Sequence, residues 1–408
     1  MLCLRPIGQL TLVFVLCLQV VAGAAHPLDG ANYGQVRDFL AKHTKVLELV
    51  GDDHARAIVC PDLQGRVMTS TCDGAEGRSL GYVNFDFIEK KKEDRHFNNY
   101  GGEDRLWLGP EGGQFSLWFA PGAKQDLVNW LTPPGLNEGA FDASGGGSQY
   151  KLERHMQLRN ASGTRFNLRI VRIAKLLPRG DFGRMFGLEA KRALDASRAR
   201  YVGFQTVNFV VNLGPPLKRE TGLVSIWSLG QFPPGQKTDV VVPYRAGSEA
   251  QLGPVVKSDY FGPVPPERLR VTPKAVYFRA DGNYRSKIGI SQRRALPVAG
   301  SLDREKGLLT LVSFSIPGPP DKLLYVNNAW DLPQKEPYVG DVVNSYNDGP
   351  PAPGKPALGG FYELETLSPA KELQTHEGLQ HVHSTFHIQG DVKALIGIAR
   401  LTLGVDVE

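Results

Sequence analysis

The sequence predicts an all-β protein, a large antiparallel β-sandwich with a short N-terminal helical extension. Strand-like runs bounded by glycine, proline, asparagine or aspartate recur along the whole chain. Apolar and polar side chains alternate through residues 166–173, which is the period of a strand with one buried face. The 46 glycines and 29 prolines supply the many turns that an antiparallel sandwich or barrel needs.

The first 24 residues are expected to be a secretory signal peptide. A short basic start, Met1–Arg5, precedes an almost wholly apolar run over residues 10–21, and Ala22-Gly23-Ala24 supplies a small-residue cleavage pattern. The apolar run is too short to span a bilayer. We therefore expect a secreted or periplasmic protein with no membrane contact after cleavage of the signal.

The elements that follow are mostly strands. The best helix signal is Tyr33–His43, so residues 25–43 are expected to form an extension and residues 44–408 one β-sandwich domain, because no linker or repeat interrupts them. The strand-like runs are 55–60, 65–72, 115–119, 149–158, 165–177, 203–212, 223–229, 239–243, 275–279, 308–314 and 323–327.

Composition argues against a charge-driven partner. The formal net charge is only +5 and the basic residues are scattered, so no nucleic-acid partner is expected. After signal cleavage, Cys60 and Cys72 remain, and their spacing leaves a disulfide open without implying it. No cysteine spacing typical of a metal site exists, and neither a metal nor a cofactor is predicted.

Several segments, in their order along the chain, resemble the galactose-mutarotase-like superfamily, most closely its uncharacterised secreted bacterial members. They are QGRVMTS at 64–70, YGGEDRLWLGPEGG at 100–113, SIWSLG at 225–230, GDVVNSYNDGP at 340–350 and the strand around Glu363. The resemblance covers roughly residues 40–390. It implies the large β-sandwich called a supersandwich, with a carbohydrate bound on the concave face of one sheet.

Two glutamates, Glu363 and Glu365, are the leading catalytic candidates. They lie two residues apart on one face of a predicted strand, roughly 6.5–7 Å from each other by strand rise. Like charges at that distance push at least one pKa upward, which yields an acid and a base from one residue type. The alternative interpretation is that both glutamates lie on an exposed strand face and are solvated. In the resemblance, Glu365-Thr366 followed by Pro369 is similar to the strand that carries the mutarotase base, which implies Glu365 as base.

Histidines near the C-terminus are the candidate acids. His381, His383 and His387 share one predicted strand face, and the family's mid-chain catalytic histidine has no clear counterpart here, since His155 looks like an ordinary strand position. We expect His383 or His387 to act as the acid. A metal site and an exposed polar face are the alternatives.

Two polar and aromatic clusters are the candidate sugar ligands. Amide, carboxylate and aromatic groups together are the usual inventory of such a site, although a turn-rich hairpin would also explain residues 100–113. The predicted substrate-binding residues are Glu103, Arg105, Trp107, Glu111, Asn328, Trp330, Tyr346, Asn347 and Asp348. By contrast, Asp281–Lys287 is interpreted as a solvated turn rather than as a site for an acidic sugar.

Three functions follow from these patterns. The leading one is acid–base chemistry at a sugar carbon, of the epimerase or mutarotase type. The second is a lyase that eliminates a glycosidic bond, with Tyr346 or His383 as base and Arg105 stabilising the enolate. The third is carbohydrate binding without catalysis. The sequence does not choose the sugar, its linkage or the oligomeric state, nor whether the protein is an enzyme at all.

Overall fold

The computed structural model describes residues 26–319 and 322–407. The predicted signal peptide, residues 1–24, lies outside the described residues. Within the described ranges, no helix has both the length and the apolar character needed to cross a membrane.

The strands carry most of the regular structure. In chain order they are β1 (Leu47–Val50), β2 (Arg56–Cys60), β3 (Arg66–Thr71), β4 (Arg105–Gly109), β5 (Asp142–Gly146), β6 (Gln149–Arg159), β7 (Arg165–Leu176), β8 (Arg200–Asn212), β9 (Ser225–Phe232), β10 (Thr238–Pro243), β11 (Leu269–Val271), β12 (Ala275–Arg279), β13 (Ser286–Ser291), β14 (Val298–Asp303), β15 (Leu308–Phe314), β16 (Asp341–Asn347), β17 (Tyr362–Leu367) and β18 (Gly378–Gln389).

The helices are fewer and short. They are α1 (Tyr33–His43), α2 (Phe85–Lys90), α3 (Pro134–Asn137), α4 (Arg179–Phe186), α5 (Leu188–Ala196), α6 (Glu249–Leu252) and α7 (Val392–Leu403). The predicted helix Tyr33–His43 is confirmed. It begins at a capping box, because the Asn32 side chain accepts from the Gln35 backbone while the Gln35 side chain accepts from the Asn32 N–H.

The strands form three sheets whose strand pairings are antiparallel. The large sheet has ten strands in the order β11-β12-β10-β14-β15-β18-β8-β7-β6-β5, and the small sheet has five in the order β13-β16-β17-β9-β4. A separate N-terminal sheet contains β1-β2-β3. The predicted all-β antiparallel sandwich is therefore confirmed.

Apolar side chains between the large and small sheets form the main core. Strand β18 shows how one strand serves two layers. His383 and His387 point to the inside of the sandwich, where they contact Thr366 and Thr310, whereas Phe386 and Ile388 point to the outside. Successive strand residues face opposite sides, so this alternation is the expected result of a paired strand.

Helices cover the outer face of the large sheet. Core side chains of α4, α5 and α7 pack there against Phe386, Ile388 and the outward leucines of β15. Helix α7 was not predicted from the sequence. It begins at Asp391, whose side chain accepts from the Ala394 N–H, and ends at Gly404 in the left-handed conformation.

Two predicted strands and one open question are settled by the structure. Residues 115–119 are not a strand, and residues 323–327 form only isolated bridges, at Leu324 and Tyr325. The thiols of Cys60 and Cys72 are both buried and are not joined in a disulfide.

Candidate functional site

A large open pocket lies on the face of the small sheet that points away from the large sheet. Its volume is about 900 Å³. Side chains of the five strands form its floor, and loops around residues 84–99, 111–130, 257–261 and 328–331 supply its walls. Because β17 alternates, Glu363 and Glu365 face this pocket, while Thr366 faces the interior and hydrogen-bonds His381 and His383.

The strand register places the floor residues in rows. Lys287 on β13 is paired with Tyr346 on β16, which is paired with Glu363 on β17. The adjacent row contains Asn344, Glu365, Leu229 and Arg105. Residues from five strands, separated by as many as 260 positions in sequence, are therefore held on rigid backbone a few ångströms apart.

Glu365 is held by two donors through a single oxygen. Its Oε2 accepts from the Lys287 Nζ at 3.0 Å and from the Trp227 Nε1 at 3.0 Å. Its Oε1 is buried and has no hydrogen-bond partner. One oxygen is thus fixed while the other keeps its lone pairs for a ligand, which suits a base that removes a proton from a bound hydroxyl.

Glu363 forms a buried ion pair with Arg105. Glu363 Oε1 accepts from Arg105 at 2.9 Å, and both side chains are less than one-tenth exposed. Burial raises the pKa of Glu363 to about 7, against the opposing effect of Arg105 and with a further contribution from Glu365. A carboxyl that exchanges its proton near neutral pH is suited to acid–base catalysis.

Arg105 lies against two aromatic rings. Its guanidinium carbon lies 4.3 Å from the ring centre of Trp107 and 4.6 Å from that of Phe97. Its Nε and one terminal nitrogen are buried and have no partner. These N–H groups can donate to a ligand oxygen without losing the contact with Glu363.

A third carboxyl group, Glu111, lies in the aromatic wall. Its Oε1 accepts from the Trp130 indole at 2.8 Å, and its backbone N–H donates to the Asn328 side chain at 2.8 Å. Burial raises the pKa of Glu111, although Lys287 opposes the rise. The side chain of Trp330 lines the same wall, so ring faces and a carboxyl group are presented together.

Lys287 belongs to a wider hydrogen-bonded and charged group. Nearby Glu365 and Glu111 raise the pKa of Lys287 against the effect of burial. The Lys287 Nζ also lies 5.1 Å from the ring centre of Trp227. The Tyr260 hydroxyl beside it donates to Asp341, and burial raises the pKa of both groups. The sequence interpretation of Lys287 as part of a solvated turn is wrong, because this side chain is only 12% exposed and hydrogen-bonds Glu365.

Many of the residues predicted from sequence lie in this one pocket. Those that line it are Arg105, Trp107, Glu111, Asn328, Trp330, Tyr346, Glu363 and Glu365.

Three predicted ligands do not line the pocket. Asn347 instead accepts from the Gly282 N–H and donates to the Tyr284 carbonyl. Asp348 accepts from the Tyr346 hydroxyl at 2.9 Å, so it supports a pocket residue from behind. Glu103 points into the sandwich, where it accepts from Ser70 and contacts His387 Nε2 at 2.9 Å. Glu103 lies in a bend that precedes β4, so the alternation of that strand does not decide the direction of its side chain.

The three histidines also lie in the interior. The expectation that His383 or His387 shares the cavity with Glu365 is wrong, because both side chains are fully buried between the sheets and line no part of the pocket. Burial lowers the pKa of His381 and of His383 to about 3. Because all three imidazoles are sealed from the pocket, they do not supply its acid.

Sequence reasoning missed several pocket residues. Lys287, Trp227 and Tyr260 were not among the candidates, and neither was His96, whose Nδ1 lies 2.7 Å from the Trp130 carbonyl oxygen at the pocket wall. Trp227 lies within the segment 225–230 that carried the resemblance, which is the one signal that pointed to it.

One group of side chains outside the pocket has the spacing of a metal site. Ligand atoms of His26, Asp86 and Glu89 lie within 4.8 Å of one another. Both acidic side chains are exposed and His26 stacks on Phe85, so the group is also explained as a surface contact.

Comparison with known proteins places the chain in a family. A family model described as "Family of unknown function (DUF6786)" matches residues 31–408. No curated protein matches the chain.

Solved structures resemble the chain only at low identity. A candidate aldose 1-epimerase from Escherichia coli K12 is 12% identical, with 85% of this chain and 99% of that chain covered and a TM-score of 0.49. A galactose mutarotase-like protein from Lactobacillus casei is 11% identical (85% and 99%, TM-score 0.44). A galactose mutarotase related enzyme from Lactobacillus acidophilus is 6% identical (85% and 98%, TM-score 0.45).

Proposed function

We propose that this chain, which belongs to the DUF6786 family of unknown function, is a carbohydrate-active protein that performs acid–base chemistry at a sugar carbon. The observation that carries the proposal is the state of Glu365. One carboxylate oxygen is fixed by Lys287 and Trp227, and the other is buried in the pocket floor without a partner. A carboxylate in that state has one oxygen that no group of the described residues uses as an acceptor.

Carbohydrate is the ligand class that fits the pocket walls. The rings of Trp130 and Trp330 offer flat apolar faces, while Glu111 and Arg105 offer hydrogen-bonding groups. A pyranose has an apolar face and a rim of hydroxyl groups, so it matches aromatic faces and charged hydrogen-bond partners together.

The proposed chemistry uses two glutamates of the same strand. Glu365 Oε1 removes the proton from a hydroxyl on a sugar carbon, and Glu363, whose pKa is about 7, donates a proton to the ring oxygen. The carbon–oxygen bond of the ring breaks and later re-forms from the other face, with the two proton transfers reversed. The product is an isomer of the substrate, so atoms, charge and electrons balance without a cofactor.

Neither candidate base for the elimination reaction, Tyr346 or His383, is suited to that role. Tyr346 donates its hydroxyl hydrogen to Asp348, and burial together with Asp348 raises the pKa of Tyr346, which makes it harder to ionise. His383 is buried on the other side of the small sheet, away from the pocket.

Non-catalytic binding of a saccharide remains the second candidate function, because the aromatic walls of the pocket would serve it equally well. We place the activity outside the cytoplasm on the strength of residues 1–24 alone.

The test is an isomerisation screen on the purified protein. Reducing mono- and oligosaccharides are mixed with the protein, and exchange between their anomers is measured by NMR, with ultraviolet absorbance recorded for unsaturated products. We expect accelerated anomeric exchange for at least one sugar and no absorbance change. Binding without exchange would support the non-catalytic candidate, and the absence of both would overturn the proposal.

A further inference from the structure

We propose that the saccharide bound in this pocket carries a negatively charged substituent, which Arg285 binds and the charge of Lys257 attracts; this inference rests on the proposed function of the pocket.

The charges of the pocket are unevenly distributed. Three cationic side chains gather at the edge strand β13. Arg285 directly precedes this strand, Lys287 lies in it, and Lys257 is joined to it by a backbone bridge with Gly289. The two catalytic candidates, Glu363 and Glu365, lie on β17, with β16 between them and this edge.

Only some of the cationic side chains that line the pocket form ion pairs. Arg105 is paired with Glu363, and Lys287 is paired with Glu365. Arg285 and Lys257 have no ion-pair partner among residues 26–319 and 322–407. The Nε of Arg285 is also buried and has no hydrogen-bond acceptor.

Aromatic rings hold both unpaired cations at the pocket. The guanidinium carbon of Arg285 lies 4.1 Å from the ring centre of Phe261, and the Lys257 Nζ lies 4.6 Å from that of Tyr260. A ring beneath a guanidinium leaves the N–H groups on its edge directed sideways. That planar fork matches the paired oxygens of a carboxylate, sulfate or phosphate group.

No carboxylate of residues 26–319 and 322–407 forms an ion pair with either cation. The side chains of Asp259 and Asp331 are exposed at the rim. Asp341, which Lys257 influences electrostatically, is instead bonded to the Tyr260 hydroxyl. The cationic edge and the central glutamates would therefore contact different parts of one ligand, its charged substituent and its reacting carbon.

The shared chemistry of the substituent is an oxyanion on the sugar. It could be the carboxylate of a uronic acid, an ester sulfate or a phosphate, and all three are tested. Matched pairs of methyl glycosides that differ only at carbon 6 serve as probes: glucose and galactose types, each as the neutral alcohol, the uronate, the 6-sulfate and the 6-phosphate. Affinities are measured by calorimetry at low and at physiological salt.

The variants are Arg285→Gln, Lys257→Gln and a matched control, Arg192→Gln, which removes an exposed arginine of α5. In the wild type we expect the charged member of a pair to bind about tenfold tighter than the neutral one, since a charge-assisted hydrogen bond contributes an effect of that size. Arg285→Gln should abolish this preference and keep the neutral affinity. Lys257→Gln should reduce it several-fold, and Arg192→Gln should leave it unchanged.

Different failures have different meanings. Equal binding of neutral and charged members by the wild type would overturn the anion inference and leave the sugar site standing. A preference that survives both Arg285→Gln and Lys257→Gln in folded protein, judged by melting temperature, would also overturn it. No binding of any saccharide, here or in the isomerisation screen, would overturn the proposed function itself. The oxyanion with the highest Arg285-dependent affinity identifies the substituent.

Discussion

The Nζ of Lys287 lies 3.0 Å from the Oε2 of Glu365, although strand β16 separates the strands that carry them. The two side chains meet diagonally across the pocket floor, since Lys287 is in register with Tyr346 and Glu365 with Asn344. This contact fixes one oxygen of Glu365 and leaves Oε1 without a partner.

Replacing Glu365 should remove activity while the chain still folds, at some cost in stability because Lys287 loses its anionic partner. Glu365→Gln is nearly isosteric and still offers an oxygen to Lys287, but an amide cannot accept a proton. We expect turnover in the anomeric-exchange assay to fall about 100-fold or more, with sugar affinity retained. Glu220→Gln, a change at an exposed glutamate, is the matched control and should behave as the wild type. Unchanged turnover in Glu365→Gln would show that the base is another group.

Removing Lys287 should destabilise the protein through Glu365. Lys287→Met leaves a buried carboxylate without its cation, and breaking a buried pair on one side costs about 3–5 kcal/mol. The double variant Lys287→Met/Glu365→Gln should recover much of that loss, because no uncompensated charge remains. Urea unfolding of the four proteins gives the coupling energy. Additive losses in the double variant would mean that the pair does not interact energetically.

Activity should depend on the protonation of Glu363. Burial raises the pKa of this carboxyl above its usual value to about 7, so the acid form is present below that pH and is lost above it. We expect kcat/KM to fall by about tenfold per pH unit above pH 7. Since Arg105 lowers the pKa of Glu363, Arg105→Gln should move this alkaline decline to higher pH. A decline that stays in place in Arg105→Gln would assign it to another group.

The interior histidines should govern stability in mild acid. Burial lowers the pKa of His383 to about 3, whereas an unfolded histidine titrates near 6.5. The unfolded state therefore binds a proton that the folded state does not, and stability is lost as the pH falls from 6.5 towards 3. His383→Gln should remove about 1.4 kcal/mol per pH unit from the slope of the unfolding free energy between pH 6 and 4. His155→Gln, at an exposed position, is the control and should leave the slope unchanged.

The sequence correctly predicted which side chains share a strand face, because this depends only on the local alternation of a strand. Glu363 and Glu365 share a face, as do His381, His383 and His387, because side chains alternate along any strand. Alternation does not say which of the two faces is the pocket and which is the interior. The choice between the two faces depends on how β17 and β18 are placed in the sandwich. In this protein the histidines of β18 face the buried interior.

The residues that were missed depend on pairing between distant segments. Lys287 follows a turn and is preceded by polar residues, which is the pattern of a solvated hairpin. Only the pairing of β13 with β16 brings it to Glu365, 78 positions away. Residues 115–119 show the reverse error, since apolar residues there suggested a strand but pack as loop side chains beside the pocket wall.

The alternation of β17 also limits how this pocket can change. Tyr362, Leu364 and Thr366 hold the sandwich together from the same six-residue strand that presents both glutamates. Deleting or inserting one residue there would exchange the two sets, burying charges and exposing the core in a single step. New substrates are therefore accessible to this scaffold through its loops, where length and side chains can vary while the glutamates stay in place.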